Sequence, residues 1–236
     1  MAETARLRFI RPTEITFIAI AGGAAAITES LAFLLARYSS LPWLLPVHFM
    51  NNGLPNGWQF KTYPRVLMPV FVQLALALTL GAIGALLLSR LHGARDSQAK
   101  DVKAASVAAE GVALIALVWV LFQAYAAVAL SDMWQRERAG LSWYSYLELS
   151  GIALTIVITA ATHLRVGRPE PRPFVAEHWR RGHFYRNPAD PALFVPTRDG
   201  SRWTLNFGRP ISGVLMGLIL GIGIVAPTLI LGLLLR

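Results

Sequence analysis

Three carboxylates stand inside apolar stretches of this chain, at Glu29, Glu110 and Glu148, and a histidine stands in the quartet Pro46-Val47-His48-Phe49. A carboxylate so placed has few uses. It can hold a proton, pair with a cation or orient a polar neighbour, because leaving its charge unpartnered among apolar groups is costly. Glu29 stands eight residues before Arg37, about 12 Å along a helix. Glu148 follows Tyr144 by four residues, about 6 Å along a helix, and Glu110 falls in the inner half of the third apolar run. Glu29 and Glu148 are candidates for an outward-facing polar cluster beneath His48 and Asp132. The alternatives are that Glu148 sits at headgroup level and that Glu29 is protonated or hydrogen-bonded through Thr28 or Ser30. His48 admits three readings: a metal ligand, a pH sensor or a hydrogen-bonded loop residue. The last is favoured, since no second ligand follows at metal-site spacing. His178 and His183 are five apart, not the i, i+4 pair of a helical zinc site. The chain has no cysteine, so disulfides, thiolate chemistry and cysteine metal sites are excluded. No nucleophile elbow, phosphate loop, dinucleotide fingerprint or HExxH occurs. The chain reads as non-enzymatic, with no cofactor and no metal.

The elements that position these residues are membrane spans. Only 15% of the residues are charged and the mean hydropathy is +0.49, with the charge confined to short segments between long apolar runs. Five runs are long enough: about 13–37, 63–89, 104–130, 144–164 and 211–235. Ala24 to Ala26 resemble a signal-peptide cleavage site, but the first run continues through Leu35 and reads as an uncleaved helix. Pro64 and Pro69 fall in the first turns of the second span, where missing N–H groups do little harm. Trp143, Tyr144 and Tyr146 are interfacial anchors for the fourth. The expected fold class is an all-α integral membrane protein, a five-helix transmembrane bundle with a small cytoplasmic β-hairpin. Along the chain it divides into a two-span domain with the outer loop (1–104), the third and fourth spans (105–168), an aromatic and arginine-rich segment (169–210) and the fifth span (211–236). Sixteen of the 22 Lys and Arg lie in the N-terminal tail, the 90–103 connector and the 165–209 segment. Positive-inside then places the N-terminus in the cytoplasm and the His48 loop outside.

Between the first two spans, residues 42–61 carry the turn signals Asn52-Gly53 and Asn56-Gly57 with Trp58 as an interfacial residue, and read as a polar, proline- and glycine-punctuated loop. In the fifth span Gly213, Gly217 and Gly221 recur every four residues, a face on which another helix approaches closely. That helix belongs to this bundle or, alternatively, to a second copy. Pro227 kinks the same span. The 169–210 segment opens with Pro169, Pro171 and Pro173, a stiff extended lead-in. It continues with Trp179, Tyr185 and the turn Asn187-Pro188-Ala189-Asp190-Pro191. Asp199-Gly200 is a hairpin-type turn, and Trp203 to Phe207, with Asn206, alternates like a strand. Interleaved arginine and aromatics suit nucleic acid. A short segment tethered at a bilayer instead meets anionic headgroups, so no nucleic acid is expected.

Two stretches carry a resemblance. Pro46-x-His48-Phe49, with Gly53-x-Pro55-Asn56-Gly57-Trp58 and then Lys61, resembles a bacterial membrane domain of unknown function found in the SdpI-like immunity family. Trp179, Phe184-Tyr185-x-Asn187-Pro188-x-Asp190-Pro191, Phe194-Val195-Pro196 and Trp203-Thr204-x-Asn206-Phe207 resemble a second domain of unknown function often found with the first. The first resemblance implies a bacterial inner-membrane protein that protects against a secreted peptide and signals through a partner held at the membrane. It implies that Pro46, His48, Phe49, Asn52, Gly53, Pro55, Trp58 and Lys61 structure the loop or meet a ligand. The chain departs from the immunity pattern in having five spans rather than six. The leading expectation is a non-enzymatic sensor or immunity-like protein that meets a peptide or envelope ligand at the outer loop. The alternatives are a small proton-coupled transporter using Glu29 and an accessory subunit of a larger membrane complex.

Overall fold

The computed structural model describes residues 7–50, 52–91, 99–138, 144–169, 172–190 and 192–221. In chain order these form β1 (Leu7–Phe9), α1 (Glu14–Arg37), β2 (Leu44–Phe49), β3 (Pro55–Phe60), α2 (Tyr63–Val66), α3 (Met68–Leu88), β4 (Ser89–Leu91), α4 (Ala99–Arg136), α5 (Tyr144–Val166), β5 (Trp179–Arg180), β6 (Phe184–Tyr185), β7 (Phe194–Pro196), β8 (Trp203–Leu205) and α6 (Pro210–Leu220). The strands make four two-stranded antiparallel sheets: β1 with β4, β2 with β3, β5 with β6 and β7 with β8.

Among the described residues four helices are long and apolar enough to cross a membrane: Glu14–Ser40, Met68–Leu88, Val102–Arg136 and Ser145–Val166. The case for lipid is clearest in α5, where Gly151 is the only buried residue from Ser145 to Val166. An apolar helix exposed nearly all round is stable only in an apolar medium. The fifth expected span begins at Pro210, which suits a first helical turn. Its continuation, with Pro227, lies outside the described residues, as does Trp143.

The second span is not one helix from Tyr63. It is broken at Leu67, between α2 and α3. Pro69 has no N–H to give to the turn before it, and its ring disfavours helical backbone in the residue ahead. The ladder resumes with Val70 and Phe71, whose N–H groups both donate to the Leu67 carbonyl, at 3.0 and 3.1 Å. At the end of α1, the Ser40 hydroxyl donates to the Arg37 carbonyl at 2.8 Å. Glu14 in the first turn of α1 and Arg37 in its last have the signs the helix dipole favours.

The chain forms two compact units, one of residues 14–81 and 113–160, the other of residues 1–13, 82–112 and 161–236. They divide α3, α4 and α5 part-way along and do not follow the loops. In the first unit the buried core is Leu34, Leu41, Leu45, Val66, Val70, Ala127, Met133 and Trp134. Gln73 crosses its interior. Fully buried, it donates from Nε2 to Ser30 Oγ at 3.1 Å and to the Val120 carbonyl at 3.0 Å. Trp119 Nε1 donates to Thr155 Oγ1 at 3.1 Å, and its ring packs beside Gly151, where a Cβ would sit in ordinary contact at 3.5 Å.

In the second unit β1 lies along β4, and Ile10 N–H donates to the Leu88 carbonyl at 2.8 Å. At Gly111 a Cβ would meet Thr162 Oγ1 at 2.4 Å, so only glycine lets α4 and α5 approach this closely. Among the described residues that unit also holds the two short hairpins β5–β6 and β7–β8 and the helix α6.

Candidate functional site

The 42–61 stretch is a β-hairpin rather than an irregular polar loop, and its two Asn-Gly pairs do different work. Asn52-Gly53 is the tip. Gly53 has φ 81, Met50 N–H donates to the Leu54 carbonyl at 2.9 Å, and Asn52 Oδ1 accepts from Leu54 N–H at 3.0 Å. Gly57 lies within β3 opposite His48, where a Cβ would sit 3.0 Å from the His48 Cβ. Asn56 Oδ1 pairs with His48 Nδ1 across the strands. The spacing of PxHF and PNGW therefore encodes a cross-strand fit, and His48 is a hydrogen-bonded structural residue.

Lys61 locks the base of the hairpin. Its Nζ donates to the Tyr38 and Leu41 carbonyls at 2.9 and 2.8 Å and lies over the Tyr38 ring, which stacks on Tyr63. Pro46 is fully buried opposite Trp58, and Phe49 opposite Pro55 packs against the core. The hairpin turns large apolar side chains outward: Trp43, Val47, Met50, Leu54, Trp58 and Phe60 are all exposed, Trp43 at 70%, alongside His48, Asn52, Asn56 and Gln59.

Glu29, Glu148, His48 and Asp132, the expected outward-facing cluster, share no hydrogen bond or ion pair among the described residues. Glu29 is exposed and holds no hydrogen bond or ion pair among the described residues. It lies about 100° around the helix from Ser30, on the buried stripe of α1. Thr28 and Ser30 spend their hydroxyls on their own helix, donating to the Ala24 and Ala26 carbonyls. Glu148 is exposed as well. Asp132 is claimed by cations, 3.3 Å from Arg37 Nη1 and 3.6 Å from Arg136 Nη2.

Glu110 is the intramembrane carboxylate with a built environment. It is 1% exposed. Thr13 Oγ1 donates to its Oε2 at 2.7 Å, and the Arg165 guanidinium spans both oxygens, one contact at 3.4 Å. In the sequence Arg165 stands out only as one of the basic residues of the 165–209 segment. Gln73 was missed altogether, although an amide in an otherwise apolar run is a legible signal.

In the other unit the structure draws Tyr185, Asn187, Asp190 and Asn206 into one polar knot. Asn206 is fully buried. Its Nδ2 donates to the carbonyls of Asn187 (2.8 Å), Asp190 (3.0 Å) and Ala192 (3.3 Å). Its Oδ1 accepts from the N–H groups of Asn187 and Gly208, both at 3.0 Å. Its own carbonyl accepts from Ser212 Oγ at 2.5 Å, which ties the knot to the first turn of α6. At Gly208 a Cβ would lie 2.5 Å from the Asn187 backbone. Asp190 accepts from Arg172 Nη1 (2.9 Å) and the Tyr185 hydroxyl (3.0 Å), and from Ala192 N–H at 2.9 Å. Burial pushes the Tyr185 phenol pKa upward; the Asn187 amide opposes the shift, and the Asp190 charge adds to it. Trp179 packs edge-on against Tyr185, while Trp203 Nε1 donates to the Gly167 carbonyl at 2.9 Å. Gly213 and Gly217 are exposed, and at Gly213, Gly217 and Gly221 a Cβ would meet nothing within 4 Å among the described residues. The buried side of α6 is Ser212 and Leu215.

Neither place joins a nucleophile to a base, and no cluster of three His, Asp or Glu able to hold a metal occurs among the described residues. The knot's polar atoms are spent on each other and on the backbone, which makes it a folding device. The exposed apolar hairpin and the basic hairpin tips are the surfaces left to meet something else. No curated protein and no solved structure matches the chain. Residues 188–213, which hold Asn206, Gly208 and Ser212, match the profile described as "Family of unknown function (DUF5808)", and the PxHF stretch lies outside that match.

Proposed function

We propose that this is a non-enzymatic membrane protein, a sensor or immunity-like protein, whose β2–β3 hairpin meets a peptide or envelope ligand on the outer side of a bacterial inner membrane. The distribution of Lys and Arg favours the N-terminus and the 165–209 segment in the cytoplasm, where a partner and anionic headgroups are met. One observation carries the reading. The hairpin is braced by Lys61, Tyr38–Tyr63 and His48–Asn56, yet turns Trp43, Val47, Met50, Leu54, Trp58 and Phe60 outward. A rigid element that displays large apolar side chains offers contact area at low entropic cost. The carrier alternative needs an enclosed carboxylate, and Glu29 is exposed.

The test is the medium in which the hairpin's apolar face sits. The chain has no cysteine of its own, so Trp58→Cys carries a single nitroxide label in the reconstituted protein. Relaxation by a water-soluble nickel complex exceeding that by oxygen is the expected result, with a peptide-accessible surface. The reverse, oxygen dominating at lipid depth, makes the hairpin a bilayer anchor and ends the ligand reading.

A further inference from the structure

The tips of the two short hairpins in the 172–209 segment face a common cleft of about 560 Å³, lined among others by His183, Arg198, Arg202 and Trp179. That volume falls within the roughly 300–1,000 Å³ of small-ligand sites. The β5–β6 tip is Arg180-Arg181-Gly182-His183, closed by His183 N–H donating to the Arg180 carbonyl at 3.2 Å. Arg181 has φ 49 and Gly182 φ 76. Two successive residues in the left-handed region make a turn that favours Asn, Asp or Gly at its first position. Arginine there works against the local backbone preference, so the turn's own stability does not account for it.

At the β7–β8 tip the one acid, Asp199, is occupied locally. It accepts from Thr197 Oγ1 and Ser201 Oγ, both at 2.5 Å, and from Ser201 N–H at 3.2 Å. Arg198 lies over the Phe174 ring at 4.6 Å, and Arg202 is exposed. Arg180, Arg181, Arg198 and Arg202 have no acidic partner among the described residues. A concavity lined by Arg198 and Arg202, with Arg180 and Arg181 beside its lining residue Gly182 in the chain, an indole wall and the Thr197 and Ser201 hydroxyls at its edge recognises a phosphate-bearing anion.

We propose that the cleft between the β5–β6 and β7–β8 tips binds the phosphate of an anionic phospholipid headgroup. The lipid is favoured over a free phosphate because the segment is tethered at both ends to apolar helices, at α5 and at α6. That tether holds the cleft near headgroups at high local concentration. The inference stands apart from the ligand reading of the β2–β3 hairpin and survives its failure.

The test compares the full chain with Arg181→Asn/Arg202→Gln in detergent, by native mass spectrometry with added phosphatidylglycerol or phosphatidylcholine. Asparagine suits the left-handed turn better than arginine, so the variant folds and melts no lower than the parent. The parent is expected to prefer phosphatidylglycerol, and the variant to lose affinity for it by about 30-fold, with phosphatidylcholine unaffected. Equal phosphatidylglycerol affinity in parent and variant overturns the site. Inorganic phosphate that binds the parent and leaves lipid binding unchanged overturns the lipid assignment in favour of a soluble anion.

Discussion

At the scale of single residues, Asn206 has the most bonds to lose. Its fully buried amide serves three carbonyls and two N–H groups. Each buried group left unsatisfied costs about 1–3 kcal/mol, so Asn206→Ala is expected to lower the thermal midpoint in detergent by several degrees and to open residues 172–210 to protease. Asn206→Asp is expected to be as damaging, since it keeps the acceptor but turns an oxygen towards three carbonyl oxygens; a variant that melts with the parent refutes the knot's importance. Two titrations have definite signs. Hydrogen bonds from Ser201 and Thr197 hold the Asp199 carboxyl down to about 2, against 3.8 ordinarily. The β7–β8 turn is therefore expected to keep this contribution above pH 4 and lose it as the pH falls towards 2, as read from the chemical shifts of the turn. Tyr185 is shifted the other way, so the folded state favours its neutral form. Stability from that group is present below pH 10 and is lost as the pH rises through its folded pKa. Asn187, Asp190 and Asn206 were legible as a motif. Their bonding was not, because it depends on carbonyls brought round by the turn at Pro188 and by the pairing of β7 with β8.

At the scale of elements, α1 and α5 were legible to within a few residues because apolar runs and terminal charges mark them. Helix α4 runs five and six residues past its expected ends because it continues into charged turns. The break at Leu67 was written in Pro69, which forbids the helical hydrogen bond that a continuous Tyr63–Ser89 span requires. The β2–β3 hairpin was hidden for a physical reason: both of its faces carry apolar residues, so the alternation that marks a half-buried strand is absent. Close approach of α4 and α5 at Gly111 makes a further prediction. Gly111→Ala places a methyl against the Thr162 side chain, and such overpacking costs about 1–3 kcal/mol. The midpoint is expected to fall, and Gly111→Ala/Thr162→Ala to recover much of the loss. A double variant no more stable than the single one means the two residues do not touch.

At the scale of the whole molecule, apolar side chains on the outside of α1, α3 and α5 require lipid around them, and four helices satisfy the length of a bilayer. With 38 residues α4 is longer than its apolar run; at about 57 Å it exceeds a hydrocarbon core of about 30 Å, so its charged first turns and Arg136 extend beyond it. The charge distribution predicts which ends are which. A cysteine at Asn52 is expected to react with an impermeant maleimide in intact cells and one at Ser201 only after lysis; the reverse pattern inverts the assigned orientation. Membrane character was readable from composition and run length, and four of the five expected spans stand as long apolar helices among the described residues. Packing inside the bundle was not, because Gln73, Glu110 and Thr13 find partners from 43 to 97 residues away, a separation over which local pattern carries no information.

Those separations also set an order of events during synthesis. Chains emerge at about 5–20 residues per second, N-terminus first. Thr13 waits for Glu110, and Glu110 for Arg165, before either polar group has its full set of partners. The Asn187 and Asp190 carbonyls stay open until Asn206 arrives, and that amide's last tie is to Ser212, in the first turn of α6. The newborn 172–205 stretch is thus unable to close on itself, and a chain arrested at residue 205 should be degraded where one arrested past 213 survives.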